Sequence, residues 1–118
     1  MKIRPIIENV EIFEATKHLE EFQNLTLRPI IKSLNEFLSV YFQNYATLKR
    51  FDIANARDLQ KDKFVTIAFS KDNQFKNELK GIVIGHFTIE EYSFYKNSSK
   101  QINKRIFGIL KQRILSFQ

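Results

Sequence analysis

Apolar residues between Leu27 and Leu48 recur at steps of three, one and three: Leu27, Ile30, Ile31, Leu34, Phe37, Leu38, Tyr41, Phe42, Tyr45 and Leu48. Arg28, Lys32, Ser33, Asn35, Glu36, Ser39, Gln43 and Asn44 fill the positions between them. This is the spacing of one apolar stripe on an amphipathic helix. Pro29 is compatible with that helix if Thr26 is its N-cap, because Leu27, Arg28 and Pro29 then occupy the first turn, where backbone N–H groups have no intrahelical acceptor. The alternative is one long kinked helix beginning near Thr16, since Leu19 and Phe22 give the preceding stretch a short stripe of its own.

Phe64 to Phe69 and Gly81 to Phe87 are short, partly β-branched runs that fit strands. In wider windows they fit helices instead. Leu59, Phe64, Ile67 and Ala68 share one face from Asp58 to Phe69, and Phe75, Leu79, Ile82, Val83 and His86 share another. Neither run has the turn residues of a hairpin beside it, so helices are the preferred reading. Thr88-Ile-Glu-Glu91 and Ser98-Ser-Lys-Gln101 each have the form of a capping box, which starts helices just after Thr88 and Ser98. The last helix runs to about Phe117 and buries Ile102, Ile106, Ile109, Leu110, Ile114 and Phe117. Residues 1–15 read as an extended or loosely ordered segment.

The pattern adds up to an all-α fold: an irregular single-domain bundle of about five helices over residues 1–118, with Leu27 to Leu48 as its central element. An α+β fold with a small sheet is the alternative. Only three Gly and two Pro in 118 residues leave few turn residues for an all-β architecture. With 43% hydrophobic and 27% charged residues, a packed core is expected rather than disorder. Twelve Phe, four Tyr and no Trp make that core rich in benzyl groups.

Charge changes the picture more. Residues Met1 to Glu91 carry 13 Lys/Arg and 13 Asp/Glu, which cancel, so the net charge of +6 comes from Lys96, Lys100, Lys104, Arg105, Lys111 and Arg113. A one-sided field of this kind fits an anionic partner, or a basic helix laid over acids of the same molecule or of a second copy. The absence of Cys excludes disulfides, thiolate zinc sites and cysteine nucleophiles. No apolar run approaches the roughly 18 residues of a membrane span, and the N-terminus has no signal-peptide core. The expectation is a soluble cytoplasmic protein with no membrane partner.

The stretches Phe22-Gln-Asn-Leu-Thr-Leu-Arg-Pro-Ile-Ile-Lys32, Phe75 to Tyr92 and Asn97 to Arg105 resemble a family of small bacterial proteins, some of which carry the label "glyoxalase". The resemblance covers about three quarters of the chain and leaves out the N-terminal tail and most of Lys49 to Thr66. It implies a compact, mainly helical domain and brings no established active residues. The metalloenzyme class that the label names is similar to a paired βαβββ fold, with a divalent metal held by His and carboxylates from separate strands. Here His18 and His86 are the only imidazoles, and no strand-borne alternation of His and Glu accompanies them.

The candidate chemistry is sparse. Lys100, Lys104 and Lys111 fall on one line of the last helix, with no acid three or four residues away, and with Lys96 and Arg105 they could bind a phosphate backbone or a protein partner. Such a line also serves simply as a solvated face. Arg113 lies on the apolar side, where it either snorkels or pairs with Glu36, Glu78 or Glu91. His86 and Glu90 are four apart, but the Thr88 cap breaks the geometry of a ligand pair, so a structural histidine is expected. Adjacent Glu20-Glu21 and Glu90-Glu91 suit first turns and do not build a facing pair of catalytic carboxylates. Gly81 and Gly85 would leave a smooth strip for a close helix crossing. Tyr92, Phe94 and Tyr95 occupy too many faces of one helix for all to be buried, so some belong to an interface. A pocket near Arg28, Asn77 and His86 is the remaining site candidate. No catalytic constellation, metal set or cofactor motif is present. The leading functional expectation is a non-enzymatic module acting through protein contacts, self-association foremost; nucleic-acid binding and small-molecule binding are the alternatives.

Overall fold

The computed structural model describes residues 14–117, and every regular element among them is helical. In chain order these are α1 (residues 14–22), a π-helical segment Gln23–Leu27, α2 (Arg28–Ser33), α3 (Asn35–Leu48), α4 (Asp58–Lys71), α5 (Asn73–Ile84), α6 (Ile89–Asn97) and α7 (Ser99–Leu115). Residues 64–69 and 81–84 are therefore helix, and the all-α reading holds over the α+β alternative. Most of the segment 1–15 read as extended lies outside the described residues, but Glu14 and Ala15 belong to α1.

Thr26 is not an N-cap. The chain enters the π segment already helical, and the Arg28 N–H reaches back five residues to the Gln23 carbonyl. The expected alternative of one kinked helix is thus the one adopted. Pro29 has no N–H and its ring crowds the preceding turn, and the wider π turn directly before it supplies the slack. Thr26 becomes a buried polar side chain inside the helix, and its hydroxyl donates to Glu91 Oε2 at 3.4 Å.

A second break falls at Leu34 (φ −93°, ψ 8°), so the expected Leu27 to Leu48 helix is two helices. The Ser33 hydroxyl donates to the Ile30 carbonyl at 2.6 Å, and the Leu34 N–H is then shared between the Ile30 and Ile31 carbonyls. A side chain competing for the backbone ladder in this way bends a helix. With α1 included, the number of helices among the described residues stays close to the about five expected.

The single wide stripe expected across α3 is split as well. Leu38, Phe42 and Ala46 are buried, whereas Phe37, Val40 and Leu48 point outward. At 100° per residue the centres of the two sets lie roughly 150° apart, about two fifths of a turn, so α3 has two apolar faces. Its end is a Schellman turn: Phe51 N–H bonds to the Ala46 carbonyl and Arg50 N–H to the Thr47 carbonyl, with Arg50 left-handed at φ 57°.

The remaining boundaries follow local capping. Asp72 caps α5 by accepting from the Phe75 N–H at 3.1 Å. The box at Thr88 forms in full: Glu91 N–H donates to the Thr88 hydroxyl at 3.1 Å and Thr88 N–H to Glu91 Oε1 at 2.8 Å. The box expected at Ser98 does not form, although α7 starts where it was placed. Ser98 also closes α6 through its N–H to Tyr95 O, and this shared role holds its backbone at φ −138°, ψ 30°, away from capping geometry. Gly81 and Gly85 do not mark a helix crossing, because an added Cβ at Gly81 would meet open space and one at Gly85 only its own helix.

The core is organised by α7, not by Leu27 to Leu48. The π segment, α2, α3, α4, α5 and α6 all pack against α7, where Ile102, Ile106 and Leu110 have no exposed surface. Phe22, Phe42 and Phe75 fill the space between the outer helices, and the edge-to-face contacts of Phe22 with Phe87 and of Phe69 with Phe75 join neighbouring turns.

Thr88→Ala should cost about 1 kcal/mol of stability, and Ser98→Ala well under half of that, because only the first removes a cap bond. Urea midpoints at constant slope measure the difference.

Candidate functional site

Tyr41 and Tyr45 are one turn apart on α3 and lean toward α5. A tyrosine that buries its ring must still find a partner for its hydroxyl, and each of these finds a carboxylate. Tyr45 Oη donates to Asp72 Oδ2 at 2.7 Å, and Tyr41 Oη donates to Glu78. The rings rest on Phe75, at centroid separations of 4.2 Å for Tyr45 and 6.1 Å for Tyr41. Lys49, just past the end of α3, places its ammonium 3.6 Å from Asp72 Oδ2 and 5.7 Å from the centroid of the Tyr45 ring. Gln74 Nε2 donates to Glu78 Oε2 at 3.1 Å. Together these groups line a cleft of about 370 Å³ between α3 and α5, with Asn44 and Leu48 at its rim.

Protonation is displaced in both directions. Burial, followed by the hydrogen bonds to the carboxylates, pushes the Tyr41 and Tyr45 hydroxyls above the ordinary tyrosine range. The Tyr45 bond, then the Phe75 N–H, holds Asp72 below the ordinary carboxylate range. Bonds from Tyr41 and Gln74 do the same for Glu78. A proton shuttle works best with a group that titrates near the working pH, and all four move away from neutrality. The arrangement is a fixed pair of negative charges framed by aromatic rings, suited to holding a cation rather than to moving protons.

Two other concavities have different character. One of about 470 Å³ is an apolar surface hollow around Phe51, Phe64 and Ile67. Another of about 930 Å³ runs from Gln43 and Thr47 to Asp58, Asp62 and Phe117, and the Lys61 ammonium spans it to the Phe117 carbonyl.

The residues singled out by sequence are scattered. Arg28 is exposed and its Nε donates to Asn24; Asn77 is exposed on α5; His86 is exposed, with Nδ1 2.8 Å from the Ile82 carbonyl. None of the three lines any of these clefts. Of the basic set, Lys96, Lys100 and Lys104 are exposed, while Lys111 is half-buried and Arg105 Nη1 is turned inward to Gln23 Oε1 at 2.7 Å. Arg113 is half-buried and forms no ion pair with Glu36, Glu78 or Glu91. Tyr92 faces out, but Phe94 packs on Phe22 at 4.9 Å and Tyr95 is buried with its hydroxyl on Asn103 Oδ1. Among the described residues no group of three His, Cys, Asp or Glu could hold a metal ion, and no helix is long and apolar enough to cross a membrane. The Tyr41, Tyr45, Asp72 and Glu78 constellation was not found by sequence reasoning. Its one signal was two hydroxyl-bearing rings on an apolar stripe.

The chain matches no protein-family model, no curated protein and no solved structure.

Because the folded state lowers the Asp72 and Glu78 carboxyls, their bonds support the fold above about pH 4 and fade as pH falls below it. Because it raises the two hydroxyls, the same bonds are complete below about pH 10 and are lost above it. Asp72→Asn should therefore flatten the acid limb of a stability-against-pH profile. In an alkaline absorbance titration of native protein, Tyr41 and Tyr45 should ionise late, and Tyr41→Phe and Tyr45→Phe should each remove one late phase.

Proposed function

We propose that this chain is a non-enzymatic helical module that works by self-association, the outer face of α3 from one copy lying antiparallel on α3 of a second. The observation that carries this reading is the second apolar stripe of α3, on which Phe37, Val40 and Leu48 are 49%, 67% and 72% exposed. Three large apolar side chains aligned over three turns exceed the scattered exposure usual for a surface helix. The stripe is also self-complementary in charge. Glu36 stands near its start and Arg50 just past its end, so an antiparallel pair sets opposite charges and opposite helix dipoles beside one another.

Magnitudes make the contact weak. Three side chains from each copy, at about 1.5 kcal/mol each, give about 9 kcal/mol before an association cost of at least about 4 kcal/mol, which leaves at most about 5 kcal/mol and puts the Kd at about 0.2 mM or weaker. Light scattering across micromolar to millimolar concentrations should show a rise in mass, and Val40→Glu should abolish it without loss of helicity. A wild-type chain that stays monomeric throughout, or a Val40→Glu variant that associates equally well, overturns the reading.

Nucleic-acid binding is the second reading, favoured by the exposure of Lys96, Lys100 and Lys104. Three phosphate contacts would give a log Kobs against log salt slope of about −2.7 on duplex DNA. A labelled oligonucleotide that shows no salt-sensitive binding at low ionic strength removes it.

A further inference from the structure

We propose that the cleft between α3 and α5 recognises a primary alkylammonium group, seated on Glu78, Tyr41 and Gln74 beside the place that Lys49 already fills. The cleft shows the required chemistry once over. At its Asp72 end a lysine ammonium lies against a carboxylate and over a tyrosine face. The Tyr41 and Glu78 pair repeats the carboxylate and phenol one turn along, yet among the described residues Glu78 forms no ion pair. An ammonium has three N–H donors. The Glu78 carboxylate, the free lone pairs of Tyr41 Oη and the Gln74 side-chain carbonyl supply three acceptors within one small region.

Electrostatics favour the same class of ligand. Asp72 and Glu78 repel each other across the cleft, Lys49 offsets one charge, and a second cation offsets the other. An anion would meet that surplus negative charge, and a neutral amide would leave Glu78 unneutralised. The volume, about 370 Å³, is at the small end of ligand sites and suits a single aliphatic side chain or a short amine, whose stem would lie along the Tyr41 and Tyr45 rings. This inference goes beyond self-association and does not need a second copy.

The ammonium could belong to a free alkylamine or to a lysine of another protein, and one titration separates them. Amide chemical shifts of the full chain are followed against n-butylamine, N-acetyl-lysine methylamide and the neutral N-acetyl-norleucine methylamide, in wild type and in the monomer-directed Val40→Glu variant. The two amines should give saturable shifts at Tyr41, Gln74 and Glu78 that weaken with salt, and the norleucine derivative should give none. Tighter binding of the lysine derivative assigns a protein lysine, and equal binding assigns a free amine. Glu78→Gln should weaken amine binding at least about tenfold, and Gln74→Ala by less, both at exposed positions where the fold can be verified by circular dichroism. Shifts that do not saturate, an equal response to norleucine, or unchanged binding in Glu78→Gln overturns the proposal. Retention of amine binding by Val40→Glu keeps this outcome separate from the fate of the dimer.

Discussion

Everything in this molecule depends on the burial of the isoleucine stripe of α7. Ile102, Ile106 and Leu110 have no exposed surface because the π segment and five helices close around them. The most basic helix of the chain is therefore also its structural centre. Such a helix can carry its charge only where the surrounding shell leaves a gap. This is why Lys100 and Lys104 stay in water while Arg105 and Lys111 are drawn toward neighbouring segments.

The shell pays attention to α7 on its inner side and leaves irregular seams on its outer side. Where α3 meets α5, the seam is filled by tyrosine and phenylalanine rings, and the ring hydroxyls force carboxylates to the surface beside them. The same α3 helix exposes an apolar stripe about a fifth of a turn from Tyr41 and Tyr45. An apolar strip and a charged aromatic cleft thus lie side by side on one helix.

Much of the fold was legible in local patterns. The periodicity of Phe75, Leu79 and Val83 marked α5, the Thr88 to Glu91 box marked the start of α6, and Ile102 to Ile114 marked the buried side of α7. Each of these depends on residues within a turn or two of one another. Local reasoning went wrong where one residue serves two elements. Ser98 ends α6 as well as opening α7, and Thr26 is held by Glu91 from 65 positions away instead of capping its own helix. Pro29 suggested a helix start, but a π turn absorbed it inside a continuous helix.

The amino-acid order by itself determined that the chain is helical, that α7 hides Ile102, Ile106, Ile109, Leu110 and Ile114, though not the half-buried Phe117 past its end, and that the net charge gathers at the C-terminal end, because helix formation, capping and amphipathic burial act over three or four neighbours. Only the tertiary structure decided that α7 is the centre, that α3 has a second face, and that Tyr41 meets Glu78 and Tyr45 meets Asp72. Those pairings span 37 and 27 positions, and their partners are set by how whole helices pack, an outcome that no short window of sequence contains.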